Sequence, residues 1–234
     1  MSYPTPDPAA RCARGQDRWR SLYRIGAVAA VLSVVVIPLS VAAFFVWPLW
    51  PGNILALIQE DWLAGLMGLD FAYLLGNLVA FPSFLVFYVV LREVDEGWAL
   101  LALALGLVGW LYLVPARPIP EMFALSDGYA AAATEAERAT FLAAGEAMLA
   151  HFQGSAYHAH YILGSVSLLI SSFLMLRSKI FGRATAWVGI VTNLVVFGLY
   201  VPVVGITLSL LSVVGYFVWY LLIARKLFRL GWGG

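Results

Sequence analysis

Six apolar runs, each at or near the length that crosses a bilayer, constrain this chain more than anything else in it. A helix needs about 20 apolar residues to traverse about 30 Å of hydrocarbon. Residues 22–47, 66–91, 98–114, 156–176, 184–204 and 206–227 fit that requirement. In lipid every backbone N–H and C=O must find a partner inside the protein, which leaves only helices or a closed barrel. The runs are too long for barrel strands and do not alternate. The expected fold is therefore all-α: a polytopic bundle of six transmembrane helices forming one domain over 21–234, behind a basic tail over 1–20. Composition agrees. The chain is 62% hydrophobic and 12% charged, against about 25% charged in soluble domains, and its mean hydropathy is +0.88.

Basic residues orient the bundle, because loops rich in Lys and Arg stay cytoplasmic. Arg11, Arg14, Arg18, Arg20 and Arg24 precede or open the first run, and Arg92 follows the second. Arg177, Lys179 and Arg183 follow the fourth, and Arg225, Lys226 and Arg229 close the chain. Twelve of the 14 Lys and Arg residues thus fall on one side, leaving Arg117 and Arg138 on the other. Six spans with both termini cytoplasmic is the arrangement that keeps this split. The apolar run after the N-terminal arginines is too long for a signal-peptide core of about 7–15 residues, so it reads as a retained first span. Trp47, Trp50 and Trp62 gather at the expected outer boundary and Trp19, Trp98, Trp219 and Trp232 near the inner one, as aromatic anchors do.

Two connectors, both on the outer side, are long. One holds Pro51, Gly52 and an apolar-acidic piece over 54–64; the other holds Pro118, Pro120 and an alanine-rich helical piece over 131–150. Thr134 and Glu137 are spaced as a capping box. Both pieces read as short interfacial helices, with packed loops as the alternative.

An ionisable residue inside a span marks a functional site by default. Asp70 lies near the outer end of the second span, and His158 and His160 open the fourth, with His151 just before it. Helical spacing places Asp70, Tyr73 and Asn77 on one face, His158, Ser165 and Ser172 on another, and Asn193 with Tyr200 on a third. Polar stripes turn away from lipid, so these residues predict an interior polar track opening outward near Asp70 and His158. Structural glue between helices is the competing reading, with small residues such as Gly106, Gly109, Gly164, Gly189 and Gly215 allowing close approach. His158 and His160 are about 200° apart on a helix, and no two-histidine metal signature occurs, so no metal is expected. Nor is a cofactor.

Other chemistries drop out. The one cysteine, Cys12, cannot staple the fold. Lys179 and Lys226 are the only lysines and lie at the inner boundary, which excludes a retinal Schiff base. The sequence has no phosphate-binding glycine loop, nucleophile elbow, arginine ladder or selectivity-filter loop. With a net charge of +1, no nucleic-acid partner is expected.

The segment 176–190, with Ser178, Lys179 and Arg183, and the sixth span, with Trp219 followed by Leu221, Leu222, Ile223, Ala224, Arg225 and Lys226, resemble the bacterial domain-of-unknown-function family 4386. The likeness runs over most of 21–230. Many members have proline where Gly182 stands. The resemblance implies a six-span fold in a bacterial inner membrane and carries no catalytic residue. Lys179, Arg183, Arg225 and Lys226 sit where they would contact anionic headgroups.

Three functions stay open. The first is binding or transport of a small or lipophilic molecule through the outward-facing track. The second is an accessory or structural subunit, in which the partners besides the lipid bilayer are other membrane subunits or a second copy. The third is a membrane enzyme using Asp70 and His158 as an acid–base pair.

Overall fold

The computed structural model describes residues 19–47, 49 and 52–233. Arg11, Cys12, Arg14, Arg18, Trp50 and nearly all of the basic tail lie outside the described residues. Among the described residues there is no strand, and six helices are long and apolar enough to cross a membrane. The first span is α1 (Arg20–Val46). Two short helices, α2 (Ile54–Glu60) and α3 (Trp62–Gly68), lead to a second span made of α4 (Phe71–Ala80) and α5 (Pro82–Leu91). The third span is α6 (Glu96–Leu113). After α7 (Ile119–Ala131) and α8 (Glu135–Phe152) comes the fourth, α9 (Ser155–Met175). The fifth, α10 (Arg183–Val196), ends in a 3-10 turn (Phe197–Tyr200), and the sixth is α11 (Gly205–Trp232).

Local chemistry explains where these helices break. Pro82 has no N–H to donate and stands at the first position of α5, so the second span is interrupted at Phe81. The expected second span began at 66, but residues 66–68 belong to α3. Asp70 separates them from α4 with a left-handed backbone, φ 62°. Asp is one of the few residues that takes this conformation readily. Asn53 and Asp61 cap α2 and α3 through their side chains. The Thr134–Glu137 capping box opens α8 as the spacing predicts. Between the fifth and sixth spans the turn is as short as expected; the fully exposed Val203 takes φ 70° there, rare for a β-branched residue.

The spans close a ring in chain order, each against the next and the sixth against the first. Both described ends meet at one end of this ring, where the Arg24 Nε–H donates to the Gly231 carbonyl at 2.9 Å. That terminal end is solidly packed around Tyr23, Phe87, Met175, Phe181, Trp219 and Leu227. Trp219 is fully buried. It is a core residue, not the boundary anchor its position in the sequence suggests, whereas Trp62, Trp98 and Trp232 are exposed. Glycines bring the third and fourth spans together: a Cβ on Gly109 would sit 2.9 Å from the Gly164 backbone nitrogen. The Ser167 hydroxyl donates across the same contact to the Ala102 carbonyl.

At the opposite end α2, α3, α7 and α8 form a cap. Ile54, Leu55, Ile58, Leu69, Ile119, Met122 and Phe152 are buried together in a second core. The Ser126 hydroxyl ties α7 to α2 by donating to the Leu55 carbonyl at 2.7 Å. The connectors are thus helical, as expected, and turn apolar faces toward one another.

Candidate ligand cavity

The half of the ring nearest the cap is hollow. A cavity of about 320 Å³ lies among the spans, lined by residues of the first, second, third, fourth and sixth spans and by Val196 of the fifth. Leu168 and Tyr220, part of the terminal core, stand at its floor. Met67, Leu49 and Asp70 stand at the cap side. Most of the wall is apolar, from Ile37, Val41, Phe44, Phe84 and Val213. Ligand sites commonly combine such a wall with a few placed polar groups.

α4 and the residue that precedes it supply three of those groups. Asp70, Tyr73 and Asn77 all line the cavity, and Ser165 lines it from α9. The Asn77 amide nitrogen donates to the Tyr73 carbonyl at 2.9 Å within its own helix. The remaining candidates lie elsewhere. His158 Nδ1 is 3.0 Å from the Tyr200 hydroxyl, and neither lines the cavity. Asn193 is fully buried behind Tyr216, whose hydroxyl donates to Asn193 Oδ1 at 2.8 Å. Tyr216 does line the cavity. Asp70 and His158 therefore have separate hydrogen-bond partners, Arg117 and Tyr200.

The partner of Asp70 is Arg117. Its Nε and Nη2 donate to Asp70 Oδ2 at 3.1 and 2.6 Å, and its Nη1 donates to the carbonyls of Ala116 and Phe152. The guanidinium carbon lies 5.0 Å from the ring centres of Tyr73 and Tyr157 and 5.4 Å from that of Phe152. Such contacts favour a cation. Burial pushes the Asp70 carboxyl above its ordinary value of 3.8, and the Arg117 guanidinium pulls it back without cancelling the rise. In sequence Arg117 is one of two basic residues in the outer connectors. Its only signal is to be a cation in the same membrane half as a lone carboxylate.

His160 is the second residue that sequence spacing undervalued. Its Nδ1 is 2.9 Å from the Gly109 carbonyl, which can only accept, so Nδ1 carries the hydrogen. In the neutral ring Nε2 then accepts from the Tyr73 hydroxyl, 3.1 Å away. The result is one network at the cap side of the cavity: Tyr73 joins His160 by hydrogen bond and Arg117 by its ring face, and Arg117 holds Asp70.

The basic residues read as lipid anchors lie at the terminal end. Lys179, Arg183 and Arg225 are exposed and Lys226 is half-buried. Ser178 shapes the turn that carries two of them, its hydroxyl accepting from the Ile180 N–H at 3.1 Å. Among the described residues no group of three or more His, Cys, Asp or Glu side chains could hold a metal ion.

No family model matches the chain, and neither a curated protein nor a solved structure matches it.

Proposed function

We propose that this protein binds a small lipophilic molecule in the cavity of its helix ring, in a bacterial inner membrane with both termini cytoplasmic. The observation that carries the reading is the cavity itself: apolar over most of its wall, edged by Asp70, Tyr73, Asn77 and His160, in only one half of the bundle. Its volume lies at the low end of the roughly 300–1,000 Å³ of drug-sized ligand sites. The packed terminal core beneath it favours a one-sided binding site over a conduit, since a path through the bundle would have to displace Phe87, Trp219 and Leu227. The twelve-to-two split of basic residues supports the orientation, and the resemblance to family 4386 supports the bacterial setting. The cavity then lies in the outer half of the membrane.

Gly164 provides the test. It lines the cavity, and a Cβ there meets nothing within 4 Å. Gly164→Leu therefore projects a side chain into the cavity from a position where its Cβ meets no neighbour. Solvent extracts of protein purified from native membranes are compared by mass spectrometry. A small molecule enriched in wild type and lost in Gly164→Leu supports the reading; identical extracts from two equally folded proteins refute it.

A further inference from the structure

The polar groups of the cavity are unevenly used, and the imbalance bears on the ligand. The hydroxyl protons of the wall mostly go to the protein. Ser40 donates to the Ala72 carbonyl, Ser212 to the Ser209 carbonyl, Tyr161 to the Val196 carbonyl and Tyr216 to Asn193. With His160 neutral, the Tyr73 proton goes to its Nε2. Acceptors remain. Asp70 Oδ2 takes both bonds from Arg117, while Oδ1 takes none from the described residues. The Asn77 amide nitrogen is engaged and its Oδ1 is not. These two oxygens belong to Asn77 on α4 and to Asp70 just before its first residue, seven positions apart in the chain, and both residues line the cavity. Against them stand the buried Trp110 Nε1–H, which finds no acceptor among the described residues, and the hydroxyls of Ser165 and Tyr220 in the wall.

Charge narrows the choice further. Asp70 is the only acidic or basic residue besides His160 in the wall, and it is already neutralised by Arg117. Arg117 cannot turn to serve a ligand without leaving Asp70, two backbone carbonyls and three aromatic rings. An ammonium or a carboxylate head would add an uncompensated charge to a neutral pair, which is costly away from water.

Resting on the cavity reading above, we infer that the ligand is an electrically neutral amphiphile whose head donates a hydrogen bond: a lipophilic alcohol or phenol. The hydroxyl donates to Asp70 Oδ1 or Asn77 Oδ1, and its own oxygen is an acceptor of the kind Trp110 lacks. The apolar tail lies among Ile37, Phe84 and Leu168.

Bromine quenches tryptophan on contact, and Trp110 in the wall makes it a reporter. Four probes of one chain length are titrated into the full protein in zwitterionic nanodiscs at pH 8. They are 8-bromo-1-octanol, its methyl ether, 8-bromooctanoate and (8-bromooctyl)trimethylammonium. The component lost in Gly164→Leu isolates the cavity from lipid-facing tryptophans. The inference expects a saturable cavity component for the alcohol, at least tenfold weaker for both ions and about fivefold weaker for the ether, the worth of one ordinary hydrogen bond. Asn77→Leu, which breaks only a bond within its own helix, weakens the alcohol by a similar factor. Equal cavity binding of all four probes overturns the inference and leaves the cavity reading standing. Tighter binding of the ammonium overturns it too, and makes Asp70 a ligand counter-ion. No Gly164-sensitive component for any probe defeats both.

Discussion

Arg117 and Asp70 are 47 positions apart, and their contact ties the start of the second span to the end of the third. Removing one partner of a buried pair typically costs about 3–5 kcal/mol. Arg117→Met also gives up the bonds to Ala116 and Phe152, so its loss belongs in that range by thermal or denaturant unfolding in detergent. Asp70→Asn is far milder, within about 1 kcal/mol, because asparagine still accepts from the guanidinium and tolerates the left-handed backbone. The pH dependence has a definite sign. Since burial raises the Asp70 carboxyl above 3.8, the folded protein holds that proton more tightly than the unfolded chain. Its contribution to stability is full below about pH 3.8 and is lost as pH rises through the folded value. Unfolding curves across that window fall with rising pH for wild type relative to Asp70→Asn; parallel curves contradict the assignment. Asp70 itself was legible in the sequence as the lone carboxylate inside an apolar run. Arg117 was not, because no local pattern links a proline-flanked connector arginine to a carboxylate one span away.

Among the helices, glycine positions separate packing from cavity. Gly109 and Gly164 face the same contact between the third and fourth spans, yet their environments differ. Gly109→Ala forces backbone apart, because its Cβ would stand 2.9 Å from the Gly164 nitrogen. Overpacking of that kind costs about 1–3 kcal/mol. Gly164→Ala meets open space and gains roughly 0.5–1 kcal/mol from helix propensity. Melting temperatures of the two variants should move in opposite directions; a shared direction would mean the cavity wall is drawn wrongly at Gly164. Such distinctions are invisible in the sequence, where both residues are glycines in apolar helices. Span positions were legible because apolar length alone sets them. The break at Asp70 was not, since a left-handed residue inside an apolar run leaves no compositional trace. The Thr134–Glu137 box was legible because capping is a local interaction.

At the scale of the whole molecule, a ring of six helices is filled at the end bearing the termini and hollow at the capped end. The count of spans and the common side of the termini were readable from apolar runs and arginine placement. Two long connectors uniting into one cap were not, because their contacts join residues such as Leu55 and Ser126, far apart in the chain. Orientation is testable in intact cells. In a Cys12→Ser background, Gly52→Cys should react with a membrane-impermeant maleimide from outside and Ser178→Cys should not; the reverse pattern inverts the topology. The central claim, a ligand held in the hollow half of the ring, is tested most directly by native mass spectrometry of protein released from its own membrane. Wild type should carry a bound small molecule of defined mass that survives gentle activation, and Gly164→Leu, at unchanged melting temperature or above, should fly bare. An adduct-free wild type, or the same adduct on both proteins, would contradict it.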